Sequence, residues 1–228
     1  MKLGLLIRET LRGRTLGRTI QNEAFSKIKL GGTGVDLGAG TNSGSYYEFM
    51  QLEPGTEIQH SDLEPRCEGV LKIDLEEELP IESETQDFVI LNNVLDAIYN
   101  HKLCVSECYR ILKNGGTVVG AIPFYHPIHP GPDAFRYTKP TLVRLFSETG
   151  FKEVEVEPLG YGPFTASVNI VAVMLRFRLL MLVPYITALA MDNILQSLIR
   201  LFSKGKGERG QMWSYDKYPV FYLFVCKK

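Results

Sequence analysis

The sequence predicts an α/β protein. Its core is a mostly parallel sheet of seven strands with helices on both faces, and a helical insertion lies between the last two strands. Three observations point there. Short apolar runs alternate with helix-length segments from about residue 35 to residue 158, the rhythm of strand–helix–strand units. The first run, Val35-Asp36-Leu37, passes into Gly38-Ala39-Gly40-Thr41-Asn42, a glycine-spaced turn at the end of a buried strand. Finally, some 59 residues (159–217) separate the last two predicted strands, too many for a bare loop, and most of them are apolar.

Residues 1–30 form an N-terminal segment in which Leu3, Leu6, Ile7 and Leu11 recur at helical spacing, closed by Gly31-Gly32-Thr33-Gly34. Strand one runs to about Leu37. A helix is expected from near Ser43 to Glu53, stopped by Pro54-Gly55. Strand two is Glu57 to about Ser61, with Asp62 at its end. Strand three is Val70–Ile73, again followed by an acid, Asp74, and strand four is Phe88–Leu91. A helix over His101–Leu112 stops at Asn114-Gly115-Gly116 before strand five, Thr117–Ile122. A helix over Lys139–Thr149 begins beside Pro140 and stops at Gly150. Strand six covers Phe151–Glu157 and the last strand Val220–Val225. One domain, 1–228, is expected: the leading segment (1–30), the core (31–158), the helical insertion (159–217) and the final strand (218–228).

The chain has 228 residues, 45% of them hydrophobic and 22% charged, and a net charge of −1. That balance gives no global basis for holding nucleic acid, and none is expected as a partner. Charge is unevenly placed, however. Residues 1–20 carry Lys2, Arg8, Arg12, Arg14 and Arg18 against Glu9 alone, whereas 74–87 carry seven acids and no base. Cys67, Cys104, Cys108 and Cys226 lack the spacing of a disulfide framework or a zinc knuckle, so no metal and a reducing compartment are expected. His101, Cys104 and Cys108 share a helical face but lack a fourth ligand and read as buried small side chains. Arg8, Glu9 and Arg12 interrupt the N-terminal apolar residues, so no secretory signal is read there.

Several of these segments together resemble the class I S-adenosylmethionine-dependent methyltransferases, of the methyltransferase type 11-like subgroup. Asp36-Leu37-Gly38-Ala39-Gly40 looks like that family's first motif. Asp62 lies 24 residues beyond Gly38, where the family carries the acid that binds both ribose hydroxyls. Asp74-Leu75 resembles the position that contacts the adenine amino group. Asp87-Phe88-Val89-Ile90 resembles the fourth strand, and Arg110-Ile111-Leu112-Lys113-Asn114-Gly115-Gly116 the run before strand five. The resemblance implies a Rossmann-like fold, S-adenosyl-L-methionine as cofactor, and Asp36, Gly38, Ala39, Gly40, Asp62, Leu63, Asp74, Leu75 and Asn92 as the residues that bind it. Two positions depart from the pattern. Asn42 replaces a third glycine, and Val94-Leu95-Asp96-Ala97 lacks the histidine that many relatives carry after strand four, so no role is transferred to Ala97.

In an open parallel sheet the ligand crevice lies beyond the carboxyl ends of the strands. The stretch Pro123–Thr138 follows strand five and packs four prolines, two histidines, four aromatics, an acid and an arginine into one stiff loop. Its histidine- and proline-spaced phrase resembles a loop of methyltransferases linked to cell-surface polysaccharide or lipid pathways. The acceptor is accordingly expected to be a small molecule or a lipid- or saccharide-linked group. His126, His129 and Asp133 are the candidate catalytic residues, as proton acceptors; Asp133 and Arg136, three apart, can equally form an ion pair.

In the insertion two or three helices are expected, with Pro184 as a break or kink. Arg176, Arg178 and Asp192 interrupt its apolar run, which argues against a permanent span of the membrane. Two readings stay open. The helices form a soluble cap over the acceptor pocket, or they dock on a membrane surface through Arg176, Arg178, Arg200, Lys204 and Lys206. Localisation follows as cytoplasmic, with a peripheral seat on the inner membrane face as the alternative. A methyltransferase is the expected function. A non-catalytic cofactor-binding regulatory protein is the alternative, and an NAD-dependent oxidoreductase is disfavoured because Ser43 stands where the G-x-G-x-x-G pattern needs glycine.

Overall fold

The computed structural model describes residues 1–41, 44–128, 131–174, 178–203 and 217–228. Two short strands, β1 (Lys29–Leu30) and β3 (Gln51–Leu52), pair in parallel with each other. The main sheet contains β2 (Thr33–Leu37), β4 (Glu57–Asp62), β5 (Leu71–Lys72), β6 (Gln86–Ile90), β7 (Leu112–Pro123), β8 (Glu153–Leu159) and β9 (Phe221–Lys227), in the order β5-β4-β2-β6-β7-β9-β8. The first five of these neighbours run parallel, with Val35 opposite Gln59 on one side and Val89 on the other.

β9 is antiparallel to both its neighbours. The Lys152 amide donates to the Lys227 carbonyl at 2.9 Å while that of Val220 donates to Leu159 at 2.7 Å. On the other side, Gly115 donates to Lys228 and Phe124 to Val220. The seven-stranded, mostly parallel sheet is therefore as expected. Its central strands read as unbroken apolar runs because Val35, Leu37, Phe88, Val89, Ile90, Val118 and Val119 are all buried.

The helices are α1 (Leu3–Leu11), α2 (Leu16–Phe25), α3 (His101–Ile111), α4 (Lys139–Thr149), α5 (Pro163–Met174) and α6 (Leu182–Ser203). Short 3-10 turns cover Ser45–Glu48, Leu95–Ala97 and Arg178–Met181. α4 has the predicted ends. Pro140 lies in its first turn, and Gly150, at φ 116°, closes it.

Four expectations are corrected. The leading segment holds two helices rather than one, divided near Gly13, whose φ is 74°. The helix expected over 43–53 is only the Ser45–Glu48 turn followed by β3, because the chain there leaves the helix to pair with β1. β7 begins at Leu112 rather than Thr117, so Asn114-Gly115-Gly116 lies inside the strand and not between it and α3, which closes at Ile111 within a residue of the expected end. Gln86 pairs with Leu112 but Phe88 with Thr117, so the residues between bulge out of the ladder, and Lys113 spans the bulge to both oxygens of Asp87 at 2.9 Å. Pro184 does not break a helix: it lies in the first turn of α6, where a missing N–H has no intrahelical partner to lose. As a result Leu179–Leu201 is long and apolar enough, by length and composition, to cross a membrane, with a mean hydropathy of 1.4.

The chain forms two compact units. The first comprises Met1–Glu23, Phe124–Pro127 and Pro158–Phe221, and the second Ala24–Pro123, Ile128–Glu157 and Tyr222–Lys228. In the second, β6, β7 and α3 bury their apolar residues together, and Phe146 packs edge-on to Phe151 and tilted against Phe224 at centroid separations of 5.5 and 5.0 Å. In the first, α5 packs on α6, and α1 packs on α6 and on the Arg178–Met181 turn.

Candidate functional site

The site is built where β2 and β4 end. β2 delivers Asp36 to the interior and then turns through Gly38 and Gly40, at φ 75° and 68°. An L-residue is strained at such angles. At Gly38 there is also no room: a Cβ would meet Val94 Cγ2 at 2.4 Å. The turn is fastened to β4 by the Ala39 amide, which donates to the Ser61 carbonyl at 2.8 Å, and the Arg66 amide reaches Gly40 O at 3.2 Å.

Asp62 closes β4. Its Oδ1 accepts the Glu64 amide at 2.9 Å in a tight side-chain turn. Its Oδ2 lies 3.4 Å from where a Gly40 Cβ would stand. A half-buried carboxylate thus faces a stretch of backbone stripped of side chains, and that combination fits a polyhydroxylated nucleoside. Leu63 follows, exposed. After β5, Asp74 Oδ1 accepts the Glu76 amide at 2.9 Å, whereas Leu75 is buried and can offer a ligand only its backbone. Asn92 is buried beyond β6, its Oδ1 taking the Ala121 amide at 3.3 Å. Asn93 follows at φ 55°, a backbone state asparagine tolerates better than most residues.

Asp36 has a different setting from the other acids. Its side chain accepts hydrogen bonds from the hydroxyls of Tyr46 and Tyr47. Burial pushes its carboxyl up to about 7, against the opposing pull of the two phenols. Tyr47 in turn stands edge-on to His60, centroids 5.6 Å apart, and burial lowers the His60 imidazole. The two tyrosines carry the chain from the glycine turn back to β3, and the sequence reading missed them. The signal available was that a buried Asp36 needs donors, and a Tyr-Tyr pair follows ten residues later.

The proposed proton acceptors diverge. Asp133 is gripped by Arg136 through both guanidinium nitrogens, NH2 reaching Oδ2 at 2.7 Å, and this hydrogen-bonded carboxylate raises the arginine. The Asp133–Arg136 ion pair is therefore present, and it fixes the loop. The nearby amides of Ala134 and Phe135 both donate to the carbonyl of buried Asp96, at 2.8 and 2.9 Å. In the first unit, His126 Nδ1 lies 2.9 Å from the Pro127 carbonyl. A carbonyl can only accept, so Nδ1 carries the proton and Nε2 is the basic nitrogen of the neutral ring. His129 lies outside the described residues, as do Asn42, Ser43, Arg176, Lys204 and Lys206. Among the described residues no group of three or more metal-binding side chains gathers, and Cys104 and Cys108 are buried side by side in α3.

The family described as a methyltransferase domain matches residues 35–120, from the middle of β2 to β7. The chain is similar to an arsenite methyltransferase of Halobacterium salinarum, 27% identical over 172 residues that make up 64% of this chain and 44% of that protein. An uncharacterized protein of Methanocaldococcus jannaschii is 29% identical over 99 residues, 42% of this chain and 47% of that one. The chain thus spans less than half the length of these curated relatives. Among solved structures, an S-adenosylmethionine-dependent methyltransferase of Archaeoglobus fulgidus superposes with a TM-score of 0.55 at 18% identity, covering 90% of this chain and 88% of that one. Phosphoethanolamine N-methyltransferase 2 of Haemonchus contortus superposes at 0.54 and 19% identity, over 92% of this chain and 52% of that one. At these identities the likeness is one of fold.

Proposed function

We infer that the chain is a class I S-adenosylmethionine-dependent methyltransferase that transfers a methyl group from S-adenosylmethionine to a small-molecule or lipid- or saccharide-linked acceptor; the methyltransferase-domain match over residues 35–120 supports the reading. One observation carries the inference. The left-handed Gly40 after β2 leaves bare backbone against the carboxylate of Asp62, whose Oδ2 lies 3.4 Å from where a Gly40 Cβ would stand.

When bound, the cofactor supplies a methyl group on a positively charged sulfur, an electrophile that needs no further activation. The chain's own residues supply the holding. Asp62 accepts the sugar hydroxyls, the Gly38–Gly40 backbone admits the tail, and Asp74 and the Leu75 backbone meet the base, with Leu63 as an apolar wall. Alignment of the acceptor supplies most of the acceleration. Of the titratable candidates, His126 is able to take a proton at Nε2, and Asp133, committed to Arg136, serves to order the loop.

Calorimetric titration with S-adenosylmethionine and its demethylated product, S-adenosylhomocysteine, is the test. Asp62→Ala is expected to weaken both by about tenfold to a hundredfold, the worth of hydrogen bonds to a charged acceptor. Equal affinity in the variant would place the sugar elsewhere. Ala97, standing where many relatives carry histidine, favours a second reading as a cofactor-binding regulatory protein. Binding without consumption across an acceptor screen would select that reading.

A further inference from the structure

The first unit buries a set of polar side chains while exposing large apolar ones. Its buried residues include Glu9, Gln21, Asn22, Thr165, Asn169 and Asp192, each 1% exposed or less. They are knit together. Asp192 on α6 accepts the amides of Phe164 and Thr165 at 3.0 and 2.8 Å and the Thr165 hydroxyl. Asn169 on α5 accepts the Gly17 amide at 2.8 Å, and Glu9 takes Asn22 together with Arg8, Arg12 and Arg14. The outward faces are the opposite. α6 turns Tyr185, Ala188 and Asp192 inward and presents Val183, Ile186, Met191, Ile194, Leu198 and Leu201 outward, with Val183 71% exposed and Leu201 63% exposed. α5 repeats the pattern, burying Thr165 and Asn169 and exposing Phe164, Ile170 and Val171. Single exposed leucines are ordinary on a soluble surface, but two packed helices that together expose nine large apolar side chains are not.

Charge on the same elements is one-sided. The only acids in α1, α5, α6 and the Arg178–Met181 turn are Glu9 and Asp192, both buried. Lys2, Arg8, Arg12 and Arg200 are exposed. Around Glu9 three arginines, Arg8, Arg12 and Arg14, meet one carboxylate. A second copy of the chain fits this face poorly, since a two-fold contact would set these cations against their own kind, and α1, α5, α6 and the Arg178–Met181 turn offer no exposed acid to answer them.

We propose that this unit docks in the plane of an anionic phospholipid bilayer. α5 and α6 sink their apolar faces among the acyl chains, and Lys2, Arg8, Arg12 and Arg200 meet the headgroup phosphates. Docking, not crossing, follows from the lengths. α6 alone is long enough to span, but its packing partner α5 has 12 residues, about 18 Å of helix against a hydrocarbon core of about 30 Å. The docking does not depend on the methyl-transfer reading.

The test is flotation of the full chain with vesicles of phosphatidylcholine alone or mixed with phosphatidylglycerol. The chain is expected to float with the mixed vesicles, more strongly at low salt, and weakly with phosphatidylcholine alone. Val183→Glu combined with Leu201→Glu, both on the outward face of α6, is expected to cut the floated fraction by about tenfold or more, with cofactor titration unchanged. Lys2→Glu with Arg200→Glu, which removes no apolar contact, is expected to abolish the preference for phosphatidylglycerol. A wild-type chain that stays at the bottom of the gradient with both vesicles overturns the proposal. So does a double glutamate variant that floats as well as wild type, or a stable dimer that this variant dissociates.

Discussion

Asp36 makes stability depend on pH in a direction opposite to that of most carboxylates. The side chain is 1% exposed, two phenols donate to it, and among the described residues no cation hydrogen-bonds to it. Its carboxyl is pushed from the usual 3.8 to about 7, chiefly by burial. The native chain therefore holds this proton more tightly than the unfolded chain does. Below pH 3.8 both states are protonated and the stabilisation is complete. Between there and about 7 the unfolded chain has released the proton while the native chain keeps it, so stability falls as pH rises; above that the loss is finished. About three pH decades at about 1.36 kcal/mol each give a loss of about 4 kcal/mol. Asp36→Asn keeps an acceptor for Tyr46 and Tyr47 but cannot ionise. Urea unfolding of both proteins from pH 4 to 8, followed by circular dichroism, is expected to show the variant gaining on wild type by about 4 kcal/mol across that interval. Parallel stability curves would refute the argument and show that Asp36 ionises in place without cost.

Two further perturbations follow from the geometry. Gly38→Ala puts a methyl 2.4 Å from Val94 Cγ2 at a φ of 75°, and is expected to destabilise the fold by about 1–3 kcal/mol, read as a lowered urea midpoint. Adding Val94→Ala should recover part of the loss, and no recovery would mean the backbone angle alone is responsible. Asp192→Asn retains the shape but gives up the charged acceptor for Phe164, Thr165 N–H and Thr165 O–H, and is expected to cost about 1–3 kcal/mol in thermal or urea unfolding.

Much of the fold was legible because its signals are local. Val35 to Leu37, Phe88 to Ile90 and Thr117 to Ile122 are apolar runs between turn residues, and Lys139–Thr149 carries its own proline start and glycine stop. The misreadings all involve partners distant in sequence. Residues 45–52 have the composition of a helix, but Tyr46 and Tyr47 are drawn to Asp36, and Gln51–Leu52 pairs with Lys29–Leu30. Asn114-Gly115-Gly116 is a helix stop by local rules, yet the pairing of Gln86 with Leu112 starts β7 before it and turns the glycines into a bulge. In the site, Gly38, Gly40, Asp62 and Asp74 could be picked out by spacing. The grip of Arg136 on both oxygens of Asp133 needed coordinates to choose between an ion pair and a base. The polar interior of the first unit was invisible for the same reason. Composition shows that Asp192 sits in an apolar run, but only the fold shows that it faces inward.

The antiparallel placement of β9 has a consequence for biosynthesis. Of the seven strands, the one translated last lies second from the edge, between β7 and β8. Until it emerges from the ribosome, β7 offers a bare hydrogen-bonding margin and β8 has no neighbour to join. The nascent protein therefore passes through a stage in which five strands can assemble while the sixth waits, a window in which chaperone capture or mispairing between polysomal neighbours would act.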